Sequence, residues 1–216
     1  MGENLSFRTK RVVDDKTLAP LYRDRLDLVI LRSMAKKLHI TLRTMEPPFE
    51  SSQSLYYAFN ERRGRLHRMI IYAPFELLDE RPLHFVGFVS RRSRDVTPGV
   101  IAEIMRTDER MLNEIARVPG LLSYSSLELH PGNWYNLVVF RDGAVKTHVK
   151  SLDTHRYAAH SLSPSYYEWI RLHTGTMPGG LVRQELCLGG STYYAFQSAE
   201  QRPAIREYVY DGCSGT

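Results

Sequence analysis

Four histidines, His148, His155, His160 and His173, fall in the stretch HVKSLDTHRYAAHSLSPSYYEWIRLHTG. Imidazole can bind a metal, ligate haem or move a proton near neutral pH, or it can simply face water. Spacing separates these uses. If 143–160 is one helix, turning about 100° per residue, His148 and His155 lie within roughly 20° of each other but about 10 Å apart along the axis. That is too far to grip one small ion. His155 and His160 differ by about 140° and face different ways. No H-x-x-x-H or H-E-x-x-H pattern supports a paired helical metal site. A haem iron needs only one ring nitrogen facing an apolar cavity, and His155 or His160 would serve, with Tyr157, Tyr166, Tyr167 and Trp169 as walls. The same two residues are the candidates for a general acid or base in a cofactor-free pocket. The plain alternative is that they cap helices or face solvent.

A second group of candidates lies on the segment NWYNLVVF. Strand alternation places Trp134, Asn136, Val138 and Phe140 on one face. An asparagine among apolar neighbours must find a hydrogen-bond partner when buried, either backbone or a ligand. Arg171 in YYEWIRLH could clamp a ligand carboxylate, but pairing with Glu168 one helical turn back is the favoured expectation. Together with Tyr167, these residues make up the candidate ligand-binding set.

Elements must bring these side chains together. Residues 1–25 form a charged, weakly patterned arm. Residues 26–80 read as a β-rich segment with a helix at 26–36, because Leu38, Ile40 and Leu42 alternate with His39, Thr41 and Arg43 as in a half-buried strand. SLYYAFNERRGRLHRMIIYAP predicts a hairpin around Arg63-Gly64. Residues 81–197 form the main unit. LHFVGFVS is a strand, and Thr97 and Pro98 then open a helix carrying Val100, Ile101, Ile104, Met105, Met111, Leu112 and Ile115 on one stripe. LLSYSSLEL and NWYNLVVFR are strands joined at HPG. Asp142-Gly143 could close a hairpin with AVKTHV as a strand. A helix is preferred there, because a four-strand ferredoxin-like unit needs its second helix at that point. A fresh helix follows Ser163-Pro164, with closing strands at LVRQELCL and TYYAFQ. Residues 198–216 are the tail.

The order over 83–189 is β-α-β-β-α-β, an α+β class with both helices on one face of an antiparallel sheet. Its open face must be covered, which points to a homodimer and an enclosed pocket between two sheets.

Composition narrows the function classes. The chain has 216 residues, a net charge of +5, 43% hydrophobic and 25% charged residues, ordinary for a globular domain. The basic clusters ERRGRLHR and RRSRD read as solvated turns, and nucleic acid is not the expected partner, since no RNP-like aromatic pattern is present. The polar N-terminus lacks a signal-peptide core, and LDLVIL is too short to span a bilayer, so a cytoplasmic protein without a membrane partner is expected. Cys187 and Cys213 could pair, but reduced thiols fit that expectation better. No G-x-S-x-G elbow, Walker loop or G-x-G-x-x-G is present.

The run W-x-N-L-V-V-F, then histidines, then S-P-x-Y-Y-x-x-I-R-L-H-x-G, resembles the dimeric α+β barrel (ferredoxin-like) superfamily over about 83–190, in particular small monooxygenase-like proteins related to antibiotic-biosynthesis monooxygenases. The resemblance implies a pocket for a small apolar or aromatic molecule, with three outcomes in the superfamily: cofactor-free oxidation, haem bound through a histidine, or no known reaction. His155 or His160 would be the acid–base group, with His160 the metal-side candidate if haem binds. A non-catalytic small-ligand-binding or protein-interaction module of the same fold is the alternative.

Overall fold

The computed structural model of the chain describes residues 7–12, 22–45, 54–196 and 204–210. Nine strands form one sheet: β1 (Phe7–Val12), β2 (Leu55–Glu61), β3 (Arg65–Ile71), β4 (Leu83–Arg92), β5 (Leu121–His130), β6 (Asn133–Phe140), β7 (Tyr167–Met177), β8 (Cys187–Ala195) and β9 (Ala204–Tyr210). Their spatial order is β1-β9-β8-β7-β4-β6-β5-β3-β2, and every pairing is antiparallel. The fold is α+β.

Turn chemistry made the hairpins readable. Gly64 and Gly132 both adopt positive φ where β2 turns into β3 and β5 into β6. Helix α3 (Pro98–Ile115) starts as expected, with the Thr97 side chain accepting from Val100 N–H and Pro98 in the first turn. The second expected helix also starts in place: α4 (Gly143–Ser151) is capped by Asp142, whose Oδ1 accepts from Ala144 and Val145 N–H. The central strands β7-β4-β6-β5 thus come from a continuous β-α-β-β-α-β run over 83–177.

Several expectations are corrected. KLHITLRTM is no strand; it is the C-terminal half of α1 (Tyr22–Thr44). Leu31, Met34, Ala35, Leu38 and Leu42 are all buried at 3–4-residue spacing, whereas Ile40 is 47% exposed, so the helical period prevails over the alternation. The segment 143–160 is not one helix, because Leu152 is extended between α4 and α5 (Asp153–Tyr157), and residues 158–162 continue α5 as a π-helical turn. The helix begun at Pro164 lasts only through α6 (Ser163–Tyr166). The aromatic and β-branched run after it is β7, so YEWIRLH from Tyr167 on is extended and Arg171 has no helical Glu168 contact; Glu168 pairs with Arg91 instead. LVRQELCL and TYYAFQ are not two strands. Short helix α7 (Gly180–Arg183) precedes one strand, β8. The arm and the tail each contain a strand, β1 and β9, which pair with each other. Cys187 is disulfide-bonded, against the expectation of reduced thiols; Cys213 lies outside the described residues. The pairing Gly190↔Val209 brings the C-terminal end of β9 to the Cys187 end of β8.

Two cores flank the sheet. On one face α1, with short helix α2 (Pro74–Leu78) and α7, buries Leu31, Met34, Leu38 and Leu42 against Met69, Phe85, Val89, Leu137, Val139 and Met177. On the other, α3 and α4 bury Ile115 and Val145 against Tyr124, Val138 and Phe140. The face expected to need a second subunit is therefore covered by the chain's own α1. No helix among the described residues is long and apolar enough to cross a membrane.

Close approach of α1 to the sheet depends on Gly87 of β4, where a Cβ would overlap the Leu31 Cδ1 methyl and stand 3.2 Å from its Cδ2. Gly87→Ala should destabilise the protein by about 1–3 kcal/mol through overpacking, and Leu31→Ala by about 2–5 kcal/mol through its cavity. The double variant, measured by urea denaturation, should cost less than the sum, because each change accommodates the other. Simple additivity would contradict the contact.

Candidate functional site

Two polar groupings flank the sheet, one on each face. The first begins on α1. Its buried stripe, extended toward the N-terminus, passes through Asp27 and Asp24, which are 1% and 3% exposed. Carboxylates therefore occupy the first two positions of an otherwise apolar stripe. Buried charge must be paired, and strand alternation supplies the partners. Arg171 and His173 on β7 point the same way, as do their register neighbours Tyr193 and Ser191 on β8. Arg171 Nε–H donates to Asp27 Oδ2 at 2.6 Å and Nη2–H to Oδ1 at 2.8 Å, a bidentate pair. His173 Nε2–H donates to Oδ2 at 2.9 Å, while its Nδ1 lies 2.7 Å from the Ser191 hydroxyl. Tyr135 OH donates to Oδ1 at 3.0 Å, and Tyr193 OH donates to Asp24. Arg171 also lies over the Trp169 ring, 4.1 Å from its centroid.

Burial by itself would raise the Asp27 carboxyl, but hydrogen bonds from His173 and Arg171 and their charges outweigh it and hold it below the usual range. Burial and the Asp27 charge push the Tyr135 phenol well up, which keeps it a donor. The order Asp27–His173–Ser191 matches the connectivity of a nucleophilic relay, yet His173 and Ser191 are buried out of reach of any substrate. Asp24, Asp27 and His173 also present ligand atoms within 4.8 Å of one another. The Arg171 guanidinium already bridges both Asp27 oxygens, so the charge a cation would supply is in place. These groups anchor α1 to the sheet.

The second grouping lies on the α3 side. Registers align Arg68, Ser126, Asn136 and Phe88 across β3, β5, β6 and β4, with Trp134 beside Asn136 on the same face. Arg68 lies 5.9 Å from the Trp134 ring centroid, and its Nη2 is 3.8 Å from Asp108 on α3. Tyr167 meets Phe88 and Tyr166 edge-on, at centroid distances of 5.6 and 4.8 Å. Burial raises the Asp108 carboxyl, only partly offset by Arg68. Burial, with Tyr166, Tyr124 and Asp108 close by, raises the Tyr167 phenol strongly. Burial pushes Tyr72 up to about 12. Within this polar and aromatic surface, Asn136 Oδ1, Arg68 Nε and the Tyr72 hydroxyl are buried without a hydrogen-bond partner among the described residues. Each such orphan costs on the order of 1–3 kcal/mol.

The candidate residues divide between these places. Trp134 and Asn136 lie on the α3 side, with Tyr167 across β4 against Phe88, and Phe140 lies four residues along β6 in the α3–α4 core. Arg171 is on the opposite face in the Asp27 anchor. His155 is half-buried on α5, where burial, then Lys150 and His160, hold its imidazole below the usual range; His160 is exposed on the π-helical turn. Two surface clefts, of about 240 and 270 Å³, are lined by neither histidine. Sequence reasoning missed Asp24, Asp27, Arg68, Asp108 and Tyr124. Asp24 and Asp27 carry a readable signal, being two acids on the continued helical stripe of Leu31, Met34, Leu38 and Leu42.

No family model matches the chain, and no curated protein matches it. Two solved structures are similar. Protein SO0527 from Shewanella oneidensis shares 16% identity, with 46% of this chain and 93% of that one covered at a TM-score of 0.38. PA3566 from Pseudomonas aeruginosa shares 12% identity, with 44% and 91% covered at a TM-score of 0.35.

Asp27→Asn should cost about 3–5 kcal/mol in chemical denaturation, because Arg171 is left buried without its counter-charge. The sign with pH follows from the lowered Asp27 carboxyl. Its contribution is fully present above the unfolded-state value near 4 and is lost as pH falls through the folded value. Between about pH 5 and 2 the wild type should therefore lose stability more steeply than Asp27→Asn. Parallel pH profiles would contradict the anchor.

Proposed function

We propose that residues 83–177 are a ferredoxin-like unit whose α3-side sheet surface holds a small neutral aromatic molecule, and that this is a binding function in the first instance. The observation that carries the proposal is Asn136: its side-chain oxygen is buried beside Trp134 and Phe88 with no partner among the described residues. A ligand hydroxyl would satisfy it, and Trp134, Phe88 and Tyr167 offer rings for stacking or edge contact. A neutral ligand is favoured because Arg68 and Asp108 already pair. The resemblance to monooxygenase-like α+β barrel proteins supports the same ligand class. Oxidation of the bound molecule, with or without haem, would be an added activity of this site.

The chain has two tryptophans, so Trp169→Phe leaves Trp134 as the reporter. Titrating that variant with phenols and naphthols should give saturable fluorescence quenching. Asn136→Ala should weaken it by roughly fivefold to tenfold, the value of one hydrogen bond of about 1–1.5 kcal/mol. Absence of saturation across the series, or equal affinity in Asn136→Ala, would overturn the proposal.

A further inference from the structure

At the other end of β6, about 14 Å from Asn136 by strand rise, a separate cleft of about 240 Å³ opens between the sheet and α4. Phe140 walls it, and its floor is bare backbone at Gly175 and Gly189. The polar groups facing it are Lys146, His84, Thr174 and Thr176. Register explains the grouping, since His84 pairs with Phe140 on one side and Thr176 on the other. Gly143 brings the first turn of α4 close, where a Cβ would lie 3.9 Å from the His84 ring.

None of these four side chains has a hydrogen-bond or ion-pair partner among the described residues. Lys146 is half-buried, and burial followed by Lys150 holds its ammonium below the usual range, with no carboxylate offsetting either. The nearest acid in sequence, Asp142, has its Oδ1 turned to the backbone of α4 as the helix cap. An unpaired, partly desolvated cation, flanked by an imidazole and two free hydroxyls, has the donors an oxyanion needs and no carboxylate in the lining to compete for the cation.

We propose that this cleft binds a small oxyanion, a carboxylate or a phosphate. Lys146 forms the ion pair, and the Thr174 and Thr176 hydroxyls donate to the remaining oxygens. His84 closes the edge, and Phe140 bounds the space left for a short apolar body. The space is smaller than a drug-sized pocket, which restricts the ligand to a few carbon atoms beyond the anionic group.

The test is amide chemical-shift mapping by NMR on the full chain, with acetate, butyrate and inorganic phosphate against sodium chloride at matched ionic strength. Saturable shifts confined to Gly143, Thr174, Thr176 and Gly189 are expected. Lys146→Met should weaken binding at least tenfold with an unchanged melting temperature, and Thr176→Val about threefold. Saturation by the carboxylates alone assigns a carboxylate site, by phosphate alone a phosphate site, and by all three a general oxyanion site. Shifts that fail to saturate, that follow chloride equally, or that persist at the same affinity in both variants overturn it. Because Asn136 and Trp134 are untouched, loss of the aromatic site would leave this result standing.

Discussion

One carboxylate ties the N-terminal helix to the sheet. Asp27 accepts from Arg171, His173 and Tyr135, so a single side chain of α1 is bonded to two strands, β6 and β7, and through His173 to Ser191 on β8. Burying a carboxylate and a guanidinium is costly, and their attraction offsets that cost only when the geometry is good and the other lone pairs are met. Here both oxygens are met. What the pair brings is position. It sets α1 across the central strands with Leu31 over Gly87, so that the apolar stripe below lands on Phe85, Val89, Leu137 and Met177. An apolar stripe alone could slide by a turn; a bidentate pair cannot.

That placement separates the two faces of the sheet. Under α1 the polar groups of the anchor are mutually satisfied, and the face is closed. Under α3 the polar groups are not all satisfied. Asn136, Arg68 and Tyr72 each keep a buried atom without a partner, among aromatic rings that pack edge-on. Away from the Asp27 anchor, His67 Nε2, Ser123 Oγ and Ser125 Oγ on the α1 side also lack a partner among the described residues. The cleft at Lys146 lies on the α3–α4 side, beyond Phe140.

The sequence made local features legible and long-range ones opaque. Thr97-Pro98, HPG and Arg63-Gly64 are local signals, and each marks the helix start or hairpin expected of it, whereas the order of elements alone favours a helix over a hairpin at Asp142-Gly143. The alternation in KLHITLRTM misled because Leu38 and Leu42 fit both a period of two and a helical turn. Leu31, Met34 and Ala35 upstream decide in favour of the helix. Pro164 correctly opened a helix, but one turn later aromatic and β-branched residues convert to strand, and Arg171 with them. Strand alternation on β6 groups Trp134 with Asn136, whereas Tyr167, expected as a pocket wall on a helix, lies instead at the start of β7. The Asp27 anchor is not legible in this way, since its partners lie 108 to 146 residues away and neither spacing nor composition reports which strand faces which helix.

The central claim is that α1 is an integral layer held by the Asp27 anchor and that the sheet is closed on that side. Native-state hydrogen exchange measures this directly. If the claim holds, the amides of α1 around Leu31–Leu38 exchange only through global unfolding, with the same free energy and denaturant dependence as those of β4, β6 and β7. Exchange of α1 through a separate, lower-energy opening, with the central strands still protected, would contradict it, and would make the α1 face, with His173 and Ser191, accessible.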